Sequence, residues 1–262
     1  MQQVTSKDGT TIAYEKVGQG PPLILVGGAL NDHKVTASGM PLAKHLAANF
    51  TVYSYDRRGR GDSSDAKPYA IEREIEDIAA LIKNAGGTAY VYGMSSGGAL
   101  ALAAAGSELA IKKLAMYEPP FVGGGQGNEY IARLKKLTAA KRYGDAVKLF
   151  LQTIGMPGFL IVVLRLTPMW PKLKKLAPTL VYDAIIMGDG TIPPAAQLAK
   201  VTIPTLVMTG TTQRMREAAH TLVSSLSNGQ HQVLEGQTHN VKPSALAPAL
   251  TAFFKESKKG VL

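Results

Sequence analysis

The sequence predicts an α/β fold: a mostly parallel sheet with helices on both faces, topped by a helical cap. Three observations predict it. Short apolar runs (LILVGG, TVYSYD, AYVYGM, KLAMYE, TLVMTG and HQVLEG) alternate with helical or longer connecting segments, the pattern of parallel strands buried on both sides. The opening stretch Val4 to Val17 alternates with the period of half-buried strands and turns at Asp8-Gly9, as a hairpin does. One connection, between KLAMYE and TLVMTG, is roughly 85 residues long, too long for a structureless loop in a compact domain.

That connection supplies the cap. It opens with VGGGQGN, a glycine-rich joint, and continues through EYIARLKKLTAAKRYGDAVKLFLQTIG and WPKLKKLAPTLVYDAIIM, both helical in pattern with prolines as punctuation. The expected division is a core over residues 1–120, a helical cap over 121–200, and the rest of the core over 201–262.

Composition narrows the function. The 262 residues include no cysteine, which excludes disulfides, thiolate catalysis and Cys-ligated zinc and fits a reducing compartment. The first twenty residues lack a charged start followed by an apolar stretch, so a cytoplasmic protein is expected. The most apolar segment, IGMPGFLIVVLRL, is broken by Pro157, Gly158 and Arg165 and falls short of the roughly 20 apolar residues that span a bilayer. No membrane partner is therefore expected. The net charge is +10, but the Lys and Arg residues are spread out, with local concentrations at Arg133 to Arg142, Lys172 to Lys175 and Lys255 to Lys259, and no nucleic-acid motif accompanies them. A solvated basic surface is the expectation, not nucleic-acid binding.

The chemistry centres on GMSSGG. Gly93-Met94-Ser95-Ser96-Gly97 matches G-x-S-x-G, follows the strand AYVYG and precedes GGALALAAAG, a run suited to a helix. Strand, sharp turn and helix are the setting in which a serine is projected from the carboxyl edge of a sheet, and Ser95 is the candidate nucleophile. The flanking glycines remove side chains that would collide with the neighbouring strand and helix.

Together with YDRRGRGDS (Tyr55 to Ser63) and GQTHN (Gly236 to Asn240), this elbow resembles the α/β-hydrolase superfamily over nearly the whole chain apart from the cap. The resemblance implies an eight-stranded type of sheet and a base at His239, after HQVLEG and before the helix SALAPALTAFF. His33, close to the expected oxyanion loop, could also line the pocket; His45, His220 and His231 read as helix-surface or strand residues. The family's aspartate after strand seven is replaced here by Gln213, which cannot carry the charge that stabilises an imidazolium. The resemblance offers Glu118, at the end of strand six, as a displaced acid, with Glu217, Asp183 and Asp189 as alternatives.

By the same resemblance the oxyanion donors are the amides of Ser96 and Ala29, the latter in the loop LILVGGALND with Gly28 beside it. Asp56 is expected to be structural, since YDRRGRGDS resembles the family's turn in which aspartate and arginine bind backbone and neighbouring loops. Leu30, Met94, Phe121, Trp170 and Tyr182 are candidates for an apolar pocket. The expected activity is hydrolysis of a small carboxylic ester or lactone through an acyl-enzyme, with no metal or organic cofactor. A catalytically silent binding protein, an acyltransferase or a lyase remain as alternatives, and the sequence does not set the oligomeric state.

Overall fold

The structure is a computed structural model that describes residues 1–34, 38–123 and 127–256. Parts of two predicted segments, the joint at 122–128 and the basic run at 255–259, lie outside the described residues.

The opening hairpin pairs β1 (Gln2–Thr5) with β2 (Thr11–Val17) antiparallel. Six further strands follow: β3 (Pro22–Val26), β4 (Thr51–Tyr55), β5 (Ala89–Met94), β6 (Ile111–Tyr117), β7 (Thr205–Thr209) and β8 (Gly229–Val233). They form one eight-stranded sheet in the order β1-β2-β4-β3-β5-β6-β7-β8, parallel from β4 onward. The order reverses between β3 and β5, so the loops leaving those two strands open side by side at the carboxyl edge, where open α/β sheets bind ligands.

Both faces are covered, which is why β3 to β7 are near-continuous buried runs. On one face α1 (Met40–Leu46) and α11 (Pro243–Lys255) bury Leu42, Leu46, Leu250 and Phe254 against Leu23, Leu25 and Tyr92. On the other, α2 (Ile71–Asn84), α3 (Ser96–Ala105) and α10 (Gln213–Ser224) pack Ile78, Leu100 and Leu222 against Ile24, Val91 and Val207. Helix α3 is built almost wholly of small residues and is buried on nearly all sides.

Between β6 and β7 lie α4 (Gly127–Ala139), α5 (Tyr143–Thr153), α6 (Gly158–Arg165), α7 (Met169–Leu176), a 3-10 turn (Ala177–Thr179), α8 (Leu180–Met187) and α9 (Ala195–Leu198). This insert has an apolar cluster of its own, including Leu134, Val147, Ile161 and Leu180. The segment IGMPGFLIVVLRL, read from sequence only as too short to span a bilayer, contains α6.

Candidate active site

Ser95 sits between the last residue of β5 and the first of α3, with φ 53° and ψ −128°. Such a backbone is strained for a residue with a side chain. Of the four non-glycine residues with positive φ among the described residues, three are candidate-site or adjoining positions: Leu30, Ser95 and Glu118. The turn is tight because glycine permits it. A Cβ on Gly97 would stand 2.4 Å from the Val26 carbonyl oxygen of β3, and one on Gly93 would stand 2.4 Å from the Gly97 carbonyl oxygen.

Glu118 follows β6, the neighbour of β5. Met94 is registered with Tyr117, and Ser95 donates its backbone N–H to the Tyr117 carbonyl at 3.0 Å, so Ser95 and Glu118 lie on adjacent strand ends. The Glu118 side chain is 2% exposed. Its Oε1 accepts the Gly210 N–H at 2.9 Å, and its Oε2 lies 2.8 Å from Nδ1 of His239. A carboxylate acceptor there assigns the proton to Nδ1 and leaves Nε2 as the ring's free acceptor.

His239 lies in the loop after β8, and two elements steady that loop. The Tyr117 hydroxyl donates to the Thr238 carbonyl at 2.6 Å, and the Thr211 N–H donates to the Gln237 carbonyl at 3.0 Å. Gly210 is required for that approach, since a Cβ there would stand 2.3 Å from the Gln237 oxygen. The His239 side chain is 52% exposed. No hydrogen bond joins it to Ser95 Oγ among the described residues.

The rival acids are engaged elsewhere. Gln213 starts α10 on the exposed surface and donates to Glu217 at 2.8 Å, while Asp189 caps a turn through Thr191. Asp183, on α8, is fully buried and bound to Arg57 (2.8 Å), Arg60 (2.7 Å) and the hydroxyl of Ser96 (2.8 Å). Burial alone opposes its ionisation, but the Arg60 and Arg57 charges outweigh that and hold its carboxyl below the ordinary 3.8.

The same arginines grip the loop after β3. Arg60 donates to the Gly28 carbonyl at 2.6 Å and Arg57 to the Gly27 carbonyl at 3.2 Å, while Glu74 holds Arg57 through two bonds of 2.6 Å. In a planar trans peptide the C=O and N–H point in opposite directions. Anchoring the Gly28 carbonyl therefore turns the Ala29 N–H away from Arg60. Gly28 abuts the elbow, since a Cβ on it would stand 3.1 Å from Ser95 Cβ. Neither the Ala29 nor the Ser96 amide donates to another protein group among the described residues. The binding of these arginines to backbone and a neighbouring loop is as the family resemblance implied; their pairing with Asp183, 126 and 123 residues away, escaped the sequence reading.

Asp56 is buried and accepts the His33 N–H, the His33 ring and the Asp62 N–H, which ties His33 into the core and away from the expected pocket-lining role. Leu30, Met94 and Phe121 are buried in three different apolar clusters around the elbow. The other two pocket candidates lie on the insert. Trp170 lines an open cleft on the insert with Lys141, Arg165 and Lys174, because α7 packs on α5 and α6. Tyr182 stacks on Tyr69 with ring centroids 3.9 Å apart and donates to Asp65 at 2.7 Å, so it joins insert to core.

Comparison with known proteins agrees with this architecture. A crystal structure of an alpha/beta hydrolase from Sphaerobacter thermophilus DSM 20745 is 49% identical, with 97% of this chain and 100% of that one covered, at a TM-score of 0.88. The enol-lactonase from Burkholderia xenovorans LB400 shares the fold at a TM-score of 0.70 and 20% identity, covering 97% and 100% of the two chains. An uncharacterized hydrolase of Bacillus subtilis (strain 168), YraK, is 37% identical over 102 residues, 36% of this chain and 35% of that protein. The profile of the alpha/beta hydrolase family matches residues 23–252, from β3 into the last helix. With most of its length inside that match, the chain belongs to the alpha/beta hydrolase family.

Proposed function

We propose that the chain is a serine hydrolase that cleaves a carboxylic ester or lactone through an acyl-enzyme. The observation that carries the reading is the pairing of Glu118 with His239 on the strand end next to Ser95. Ser95 Oγ attacks the acyl carbon while His239 Nε2 takes the hydroxyl proton. Glu118 keeps Nδ1 protonated and balances the imidazolium charge. The Ala29 and Ser96 N–H groups donate hydrogen bonds to the negative oxygen of the tetrahedral intermediate. Its collapse breaks the ester bond, and His239 returns the proton to the departing alcohol. Water, deprotonated by the same imidazole, then attacks the acyl carbon, and the imidazolium gives that proton to Ser95 Oγ as the acid is freed. For a lactone, alcohol and acid leave as one hydroxy acid.

That no hydrogen bond joins Ser95 to His239 among the described residues agrees with this reading, since such bonds commonly tighten only in the complex with substrate. It also favours a second reading, a silent binding protein on the same fold. One experiment separates them. A fluorophosphonate probe should label the wild type and fail to label Ser95→Ala or His239→Ala. Turnover of p-nitrophenyl esters of graded chain length and of a lactone panel should fall on the order of a millionfold in Ser95→Ala, by analogy with another serine triad. A wild type that is neither labelled nor active would favour the binding protein.

A further inference from the structure

Helix α6 has apolar residues on two sides, and the protein covers only one. Ile161 is buried and Leu164 packs on the insert's apolar cluster. Phe159, Val162, Val163 and Leu166 recur at i, i+3, i+4 and i+7, which places them on one face, and all four are exposed, Phe159 by 68% and Leu166 by 84%. Leu160 and Met169 extend the patch. Contiguous exposed apolar surface of this kind marks an interaction site.

The charge distribution says what the patch meets. Residues 130–176 carry ten Lys and Arg against the single acid Asp145, so this segment holds +9 of the chain's net +10. Part of this charge reaches the apolar helix itself. Arg165, on α6 next to Leu166, lines an open cleft of about 290 Å³ with Lys141, Arg142 and Lys174, and its guanidinium lies 5.3 Å from the Trp170 ring centre. Lys172 and Lys175 stand exposed on the same helix as Trp170. A second copy docked through this face would bring two such segments together against their own repulsion. A bilayer of anionic phospholipid offers acyl chains to the helix and phosphates to the lysines and arginines.

We propose that the insert docks this protein on the surface of an anionic phospholipid bilayer, with the Phe159–Leu166 face of α6 in the interface. The expectation of no membrane partner rested on the length of the apolar run, which bears on spanning a bilayer and not on lying upon one. Among the described residues no helix is long and apolar enough to cross a membrane.

The test is sedimentation of the full chain with phosphatidylcholine vesicles, with and without phosphatidylglycerol. Binding should require the anionic lipid and weaken with added salt. Replacing Lys172, Lys174 and Lys175 by Gln should weaken partitioning roughly a hundredfold. Phe159→Ser with Leu166→Ser should weaken it at least about tenfold. Ser95→Ala should bind as the wild type does, which keeps this result separate from that of the hydrolase assay. Absence of binding at low salt overturns the proposal. So does undiminished binding of the Phe159/Leu166 variant, or a wild-type dimer that this variant converts to monomer.

Discussion

Glu118 Oε2 lies 2.8 Å from Nδ1 of His239, joining two side chains 121 residues apart, while Glu118 Oε1 takes the Gly210 N–H at 2.9 Å. With both oxygens occupied, the carboxylate can neither rotate nor be replaced by an amide without leaving a donor facing a donor. Glu118→Gln should therefore present an N–H to His239 or to Gly210, and favour the wrong tautomer of the imidazole. The expected loss in kcat is about ten-thousandfold, as in other serine triads whose acid is amidated, with KM little changed. Gln213→Ala removes only a surface contact to Glu217 and should leave kcat within about twofold. Steady-state kinetics of the two variants side by side checks both; equal, mild effects would remove Glu118 from the reaction.

The elbow was legible because its determinants are local. Strand, G-x-S-x-G and a small-residue helix lie within about twenty consecutive positions, and the close approaches at Gly93 and Gly97 show why no larger residue fits. Glu118 and His239 were reached only through a resemblance, since nothing near either in the chain announces the other. The network of Arg57, Arg60 and Asp183 was illegible for the same reason carried further: its bonds close over 126 and 123 residues, and Asp183 stood among the candidate acids instead. That Trp170 meets Lys141, Arg165 and Lys174 was not legible, because helical spacing tells that a residue is on a face but not which neighbour that face meets. The outward side of α6 was missed because its apolar run was weighed only against the length of a membrane span.

Tyr117 reaches out of the last position of β6 to hold the Thr238 carbonyl at 2.6 Å, one residue before His239. Tyr117→Phe keeps the ring in its buried place and deletes only that hydroxyl. Unfolding free energy should fall by about 1 kcal/mol, the worth of one hydrogen bond. Catalysis should suffer more than stability, because a looser loop lets the imidazole leave its productive position; kcat should drop roughly tenfold or more, since small misplacements of a catalytic group are costly. Urea denaturation and ester kinetics on the same preparation check the split, and a rate loss no larger than the stability loss would assign the hydroxyl a purely structural role.

Gly97→Ala should fail at folding rather than at chemistry. Its methyl would stand 2.4 Å from the Val26 oxygen and 2.6 Å from the Gly27 oxygen, both backbone atoms of the central sheet and its exit loop. The helix would have to move away from β3, carrying Ser95 with it. An overpacked core of this kind costs about 1–3 kcal/mol or more, so a Tm lower by several degrees is expected. Thermal unfolding checks the prediction against Gly158→Ala, where a Cβ meets no atom within 4 Å and φ is not positive, so that the clash alone separates the two variants.

Asp183 ties the insert to the elbow, and its charge makes that tie depend on pH. The carboxyl's folded-state pKa lies below the ordinary 3.8, because Arg60 and Arg57 favour the ionised form more than burial disfavours it. Between those two values the unfolded chain binds more protons than the folded one, so stability rises with pH through that window. The contribution is complete above about pH 5 and is lost as pH falls through 3.8 toward the folded value. Asp183→Asn removes the charge but leaves the two arginines buried, a change that costs about 3–5 kcal/mol near neutrality. Below pH 4 the gap between wild type and variant should narrow, since protonation disarms the wild-type carboxyl too. Chemical denaturation from pH 3 to 8 measures this, and parallel curves would exclude Asp183 as the titrating group. The same variant frees Arg60 from its carboxylate partner, and with it the clamp on the Gly28 carbonyl. At pH 7 it should lower kcat by about tenfold or more without a matching rise in KM, the signature of an interaction that matters only when charge develops on the substrate oxygen.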